Sequence, residues 1–332
     1  MRICVVGAGA IGGFVAARLA KAGHEVSIIV RGKNLQAVRE RGGLRLIEQD
    51  GSEFLAPVKA TDRIPEAGPQ DLVVLAVKSH QVADVAADLP ALFTATTRVV
   101  TMQNGIPWWF FHGMPGFEGR SLRSVDPTGA ASTHIDAWRI IGSVVYPAAE
   151  VTAPGVVQVI EGNRFSLGEP GERSEALSEV SKTFIAAGFK APIARDIRAE
   201  IMVKVWGNMS FNPISALTHA TLEDICLHPG ARALVASIMQ EGLAVCEKLG
   251  IRLGVGIDQR IAGAQAIGQH KTSMLQDVEA GRRLELDALV AAMLELGEAT
   301  GVPMPQLTSI HALADLLAQT LARAQGRLAI QS

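Results

Sequence analysis

Residues 7–12 read Gly7-Ala8-Gly9-Ala10-Ile11-Gly12, between a strand-like run at Arg2–Val6 and a helical stretch. Glycines at this spacing suit the binding of a dinucleotide pyrophosphate. Gly7 allows a tight turn, Gly9 lets the backbone approach the phosphates, and Gly12 permits close helix–strand packing. Ala10 and Ile11 open the helix, whose first N–H groups face the anion. An ordinary glycine turn is the competing reading. It is disfavoured because strand, loop, helix and second strand follow within one unit of roughly 30 residues. The second strand ends in Val30-Arg31-Gly32-Lys33. A site for NAD usually has an acidic residue there to hold the ribose 2′-hydroxyl, whereas arginine accommodates a 2′-phosphate. Arg31 offers a planar fork and Lys33 a second cation, so the expected cofactor is NADP rather than NAD.

A second group of polar residues lies far along the chain. Lys204 is flanked by Met202, Val203, Val205 and Trp206, and Asn208 and Asn212 follow it at four-residue steps. These steps place the three side chains near one helix face. Pro213 comes next, so the last step is expected at a kink or helix end. Helix capping by Asn212 and an exposed polar face at Asn208 are the plainer alternatives. Ser273 opens another helical run and stands three residues before Gln276, the spacing of a capping box. Glu285 lies twelve residues beyond Ser273. In the first half, Lys78 and Asn104 each fall at a strand's carboxyl end, the edge where ligands bind in open α/β sheets.

The elements that must hold these residues divide the chain in two. Candidate strands at Arg2–Val6, Glu25–Val30, Leu72–Val77 and Arg98–Met102 alternate with helices at 11–22 and 81–89, which is the pattern of a doubly wound parallel sheet. From Val144 to Gly168 the texture suggests antiparallel hairpins added at the sheet edge. Beyond Asp196 helical periodicity takes over, with helices expected near 197–211, 231–249, 273–299 and 305–324. The expected fold class is therefore α/β: an N-terminal Rossmann-type doubly wound sheet (1–196, NADP-binding) and a C-terminal all-helical domain (197–332, substrate binding and dimerisation).

Composition narrows the partners. The chain has 332 residues, 48% hydrophobic and 19% charged, with a net charge of -2, so it is globular and lacks the basic excess of a nucleic-acid binder. No apolar run reaches membrane-spanning length, and the first residues lack the regions of a signal peptide. Three scattered cysteines, Cys4, Cys226 and Cys246, suggest neither a disulfide framework nor a zinc site. A small-molecule substrate, no bound metal, a cytoplasmic location and a homodimer are expected.

With the glycine loop, Arg31, Ala76-Val77-Lys78, Gln103-Asn104-Gly105, Lys204 with Asn208 and Asn212-Pro213, and Ser273-Met274-Leu275-Gln276-Asp277 with Glu285 all in view, the chain resembles the ketopantoate reductase family. The resemblance implies a two-domain enzyme that uses NADPH to reduce the ketone of 2-dehydropantoate to (R)-pantoate, on the way to pantothenate and coenzyme A. It implies that the reaction lies between the domains, that Lys204 is the catalytic lysine, and that Glu285 orients it and positions the substrate hydroxyls. Asn208 and Asn212 would bind substrate oxygens, Ser273 the carboxylate, Asn104 both cofactor and substrate, and Lys78 the cofactor or the substrate entrance. This chain is longer than the family pattern between Gly105 and Arg139, where it carries Trp108-Trp109-Phe110-Phe111. These aromatics could be a lid, a subunit contact or extra core, and a lid would favour a bulkier or more apolar 2-oxo acid. A non-catalytic NADP sensor is the remaining alternative.

Overall fold

The computed structural model describes residues 1–325. They form two compact units, Met1–Ile197 and a second that begins at Arg198. The end of the expected 197–332 domain, residues 326–332, lies outside the described residues.

In chain order the first unit contains β1 (Arg2–Val6), α1 (Ala10–Lys21), β2 (Glu25–Ile29), α2 (Gly32–Arg41), β3 (Leu44–Ile47), β4 (Glu53–Ala56), β5 (Lys59–Thr61) and β6 (Leu72–Leu75). It continues with α3 (Val82–Ala86), β7 (Arg98–Thr101), α4 (Ala130–His134), β8 (Ile140–Val145), β9 (Ala148–Ala153), β10 (Val156–Glu161), β11 (Phe165–Gly168) and α5 (Glu175–Ala186). Seven strands make one sheet in the order β11-β8-β7-β6-β1-β2-β5. All its neighbours are parallel except β11, which runs antiparallel to β8. The central strands are continuous apolar runs: Ile3–Val6 and Leu72–Leu75 are wholly buried, as strands covered on both faces must be. The strand order reverses between β1 and β6, the switch point at whose carboxyl ends open α/β sheets bind ligands.

The expected edge hairpins are only partly found at the edge. β11 does extend the main sheet, but the β9–β10 hairpin joins β3 and β4 in a second sheet, β4-β3-β10-β9, with β10 parallel to β3. The reason lies in α1, where Gly12–Ala17, Leu19 and Ala20 are all buried. A helix apolar on every side needs cover on every side. The second sheet supplies it, and Gly13 lets it come close: a Cβ there would lie 2.7 Å from Val157 Cγ2.

The aromatic run 108–111 is core. Trp108, Trp109, Phe110 and Phe111 are all buried, and Trp109 Nε1 donates to Thr101 Oγ1 at 3.1 Å. Its indole fills the space over Gly142 of β8, and Phe111 stacks on Phe117 with centroids 5.1 Å apart. The lid reading, and the bulkier substrate it implied, therefore lose their basis. The expected 81–89 helix is also shorter. It is a 3₁₀ turn, Ser79–Gln81, followed by α3, and a further 3₁₀ turn at Leu89–Leu92 begins around Pro90.

The described part of the second unit is helical: α6 (Ile197–Thr218), α7 (Leu222–Leu227), α8 (Pro229–Lys248), α9 (Ile257–Ala266), α10 (Ser273–Glu279), a π-helical turn at Asp287–Ala291 leading into α11 (Ala292–Thr300), and α12 (Pro305–Arg323). Two helix bounds differ from expectation. α6 runs past the expected 211 and through Pro213 to Thr218, so Pro213 is not its end. The single helix expected at 273–299 is broken, because Gly281 takes a left-handed conformation (φ +62°) after α10 and the chain leaves the helix until Leu286.

Gly12 gives a test in which sign alone discriminates. In a helix, Gly→Ala ordinarily stabilises by about 1 kcal/mol. A Cβ at Gly12 would stand 2.1 Å from Gly7 O and 3.0 Å from Ala76 Cβ. Gly12→Ala should therefore destabilise by about 1–3 kcal/mol, read as a lower urea midpoint. A midpoint that rises would contradict this packing.

Candidate active site

The three loop glycines prove to be unequal. Gly7 sits at φ +96°, and a Cβ on it would press within 2.7–2.9 Å of Val77. Gly7 and Gly12 are thus required by the protein's own packing. A Cβ on Gly9 would meet nothing within 4 Å. Gly9 is the N-cap of α1, with no capping side chain and no acidic residue in the first turn. Open space, a bare helix N-terminus and partly exposed Ala10 and Ile11 fit an anion brought close to the backbone. The loop is anchored to the next strand, since the N–H groups of Gly7 and Ala8 both donate to Ile29 O at 3.2 Å. Two residues beyond Ile29, exposed Arg31 caps α2, whose first turn adds exposed Lys33 and no acid. The residues present fit a 2′-phosphorylated dinucleotide.

Lys78 and Asn104, both half-buried, lie three residues beyond the ends of β6 and β7, at the same sheet edge as the glycine loop. The Lys78 N–H donates to Gln81 Oε1 at 3.2 Å.

In the second unit α6 does the positioning. Its Trp206 and Met209 pack against Gly242 of α8, where a Cβ would lie 2.3 Å from Met209 Cε, and Trp206 Nε1 donates to Met239 O at 2.6 Å. With that side anchored, the face carrying Lys204, Asn208 and Asn212 is fixed in rotation. Asn212 is buried in mid-helix and caps nothing; its Nδ2 donates to Ser273 Oγ at 3.4 Å. Two residues far apart in sequence are thereby brought together. Ser273 itself is not the cap of α10. Thr272 is, accepting from Leu275 N at 3.3 Å, while Gln276 Nε2 turns to Lys271 O, so the capping box read from the sequence does not form. The break after α10 leaves Glu285 half-buried in the non-helical stretch just before Leu286.

Lys204 and Glu285 interact electrostatically. Burial pushes the Lys204 ammonium down from the usual 10.5 to about 8, against the Glu285 carboxylate, which holds it up. A depressed lysine of this kind is poised to give up a proton near neutral pH. Two further residues adjoin the candidate ones. Arg260 lays its guanidinium against Gly207 on α6, where a Cβ would lie 2.2 Å from its Nη2; the signal was a glycine inside a strongly helical run. Gln103 is bonded to the end of β6, and no sequence signal beyond its place next to Asn104 foretold that.

The comparisons with known proteins follow this geometry. The family model described as "Ketopantoate reductase PanE/ApbA" matches residues 3–108, and the one described as "Ketopantoate reductase PanE/ApbA C terminal" matches 196–318. A 2-dehydropantoate 2-reductase of Mesorhizobium japonicum is 52% identical over 321 residues, 96% of this chain and 98% of its own. The chain belongs to the ketopantoate reductase family. Among solved structures, a protein of Ralstonia solanacearum MolK2, described only provisionally as a ketopantoate reductase, superposes with a TM-score of 0.91 at 40% identity, covering 97% of this chain and 98% of that one. A 2-dehydropantoate 2-reductase from Geobacter metallireducens GS-15 gives 0.82 at 28% identity, covering 95% and 99%. The family's two matched stretches contain every candidate residue, the glycine loop through Asn104 in the first and Lys204 through Glu285 in the second.

The lowered lysine pKa has a consequence for stability. The unfolded chain holds the proton up to about 10.5 and the folded one only to about 8, so below pH 8 a charged Lys204 opposes folding, and stability rises as pH climbs through that window. Lys204→Met should raise the melting temperature at pH 7, with the gain shrinking towards pH 10.5. A difference in melting temperature between variant and wild type that stays constant from pH 7 to 10.5 would show that the ammonium is not desolvated.

Proposed function

We propose that this chain is an NADPH-dependent 2-dehydropantoate 2-reductase that produces (R)-pantoate. The observation that carries the reading is a half-buried lysine whose pKa is lowered by desolvation, with a carboxylate acting on it, on one helix face with Asn208 and an Asn212–Ser273 contact, in a chain 52% identical to a 2-dehydropantoate 2-reductase over nearly its whole length. The first unit is the NADP-binding domain, and the second supplies the substrate contacts and the proton. Gly7, Gly9 and Gly12, with the first-turn amides of Ala10 and Ile11, hold the pyrophosphate; Arg31 and Lys33 hold the 2′-phosphate; Lys78 and Asn104 line the nicotinamide side.

When bound, the cofactor supplies the hydride for the carbonyl carbon. Lys204 Nζ stabilises the negative charge that develops on the carbonyl oxygen and delivers the proton that completes the alcohol. Glu285 keeps Lys204 protonated at working pH by opposing the effect of burial, and it orients the substrate hydroxyls. Ser273, in the first turn of α10, takes the substrate carboxylate with help from the helix N-terminus, and Asn212 holds the serine hydroxyl in place. Asn208 serves the remaining substrate oxygens. A non-catalytic sensor would have no use for a tuned proton donor.

The three cysteines are free and buried, and Cys4 and Cys246 have thiols pushed up to about 12 by burial, which suits a reducing cytoplasm. Among the described residues no helix is long and apolar enough to cross a membrane. We take the assembly to be a homodimer, as closed symmetric dimers are the commonest oligomers and α12 exposes Leu313 and Leu316.

Two variants test these roles. Lys204→Ala should lower kcat about a hundredfold or more while the Kd for NADPH stays within about twofold of wild type. Equal losses in turnover and NADPH affinity would sink the proton-donor role. Arg31→Ala should raise the KM for NADPH by about 10–100-fold and leave the KM for NADH nearly unchanged, because the lost bond is to a phosphate that only NADPH carries. The reaction itself is tested by NADPH oxidation with 2-dehydropantoate beside other branched and aromatic 2-oxo acids. Turnover confined to the latter would overturn the substrate assignment.

A further inference from the structure

β6 and β7 part company where the site begins. The last backbone bond between them is Met102 N–H to Leu75 O at 3.0 Å, after which Ala76 is held from the other side, by Val6 O at 2.8 Å. The Val77 carbonyl thus lies beyond the reach of the ladder. Gln103 supplies what the strand no longer does: its Nε2 donates to Leu75 O at 2.9 Å and to Val77 O at 3.0 Å. With both amide hydrogens directed at β6, Oε1 is left buried without a hydrogen-bond partner. A buried unpaired acceptor costs stability. The opposite amide orientation would point the oxygen at two carbonyl oxygens, so the structure accepts the lesser penalty in order to hold this one.

What the clamp holds is the floor of the glycine loop. Val77 is the residue pressed against Gly7, and Ala76 is the one pressed against Gly12. Lys78 comes directly after Val77, and Asn104 directly after Gln103.

We infer that Gln103 is a positioning residue for the cofactor: one side chain fixes the glycine loop, Lys78 and Asn104 in a single register. The inference rests on the NADPH reading above. Its action is indirect, through Val77 and the neighbouring backbone, so it should govern how tightly NADPH is held rather than the proton transfer at Lys204.

Two full-length variants test it. Gln103→Glu keeps the shape but presents a carboxylate to two carbonyls; at acidic pH the protonated acid regains one donor. Gln103→Met removes both donors at every pH and adds no charge, and it decides the matter if the glutamate variant does not fold. Both should raise the Kd and KM for NADPH about tenfold near neutral pH. The glutamate variant should recover as pH falls and the methionine variant should not, while kcat and the KM for the 2-oxo acid stay within about threefold of wild type. A Kd and KM for NADPH equal to wild type in the folded variants, whatever their melting temperatures, would make the clamp merely structural and overturn the inference alone. A wild-type chain that binds no NADPH would overturn both the inference and the cofactor reading.

Discussion

The electrostatic balance on Lys204 is the constraint around which the second unit is arranged. An ammonium desolvated without compensation loses its proton, and a fully solvated one would hold it far too tightly to serve as an acid near neutral pH. Burial supplies the desolvation, and Glu285 supplies the opposing charge, leaving the lysine near 8. Both have to be delivered by backbone geometry. α8 pins the far side of α6 through Gly242 and the Trp206–Met239 bond, and the interruption after α10 delivers Glu285 from a stretch that is not helical at all.

The first unit solves a different problem, that of leaving open space beside one backbone segment while packing the rest of the loop tightly. Gly7 and Gly12 are tight against Val77, Ala76 and each other, while Gly9 faces open space. The rigidity of the loop comes from the strands beneath it: β1 lies between β2 and β6, and each neighbour touches the loop, β2 through Ile29 O and the end of β6 through Val77. Burial of α1 between two sheets then fixes the direction of that helix and of its uncapped N-terminus.

Much of this was legible in the sequence where local pattern and tertiary demand coincide. The β1–α1–β2 unit is one such case, since glycine spacing and apolar periodicity specify the same turn. The shared face of Lys204, Asn208 and Asn212 is another, because it follows from helical geometry alone. Less local features were not legible. β3 and β4 are four-residue strands whose purpose is to cover α1, and nothing within them announces it. Gly281 looks like a glycine tolerated inside a helix, yet it terminates one. Pro213 looks like a terminator, yet α6 continues, since packing can retain a helix that has lost one backbone bond. Ser273 and Gln276 carry the spacing of a capping box, but Thr272 takes the cap and frees the serine hydroxyl to meet Asn212. For the cover of α1 and for the Asn212–Ser273 contact the deciding partner is distant in sequence.

Glu285 holds up the pKa of a half-buried Lys204, and the pH dependence of kcat for wild type and Glu285→Gln tests this most directly. In wild type, kcat should fall as pH rises through about 8, where Lys204 loses its proton. Removing the Glu285 charge should move that alkaline limb to lower pH, because burial then acts on the lysine without opposition. An alkaline limb that stays in place, with turnover reduced by the same factor at every pH, would contradict it.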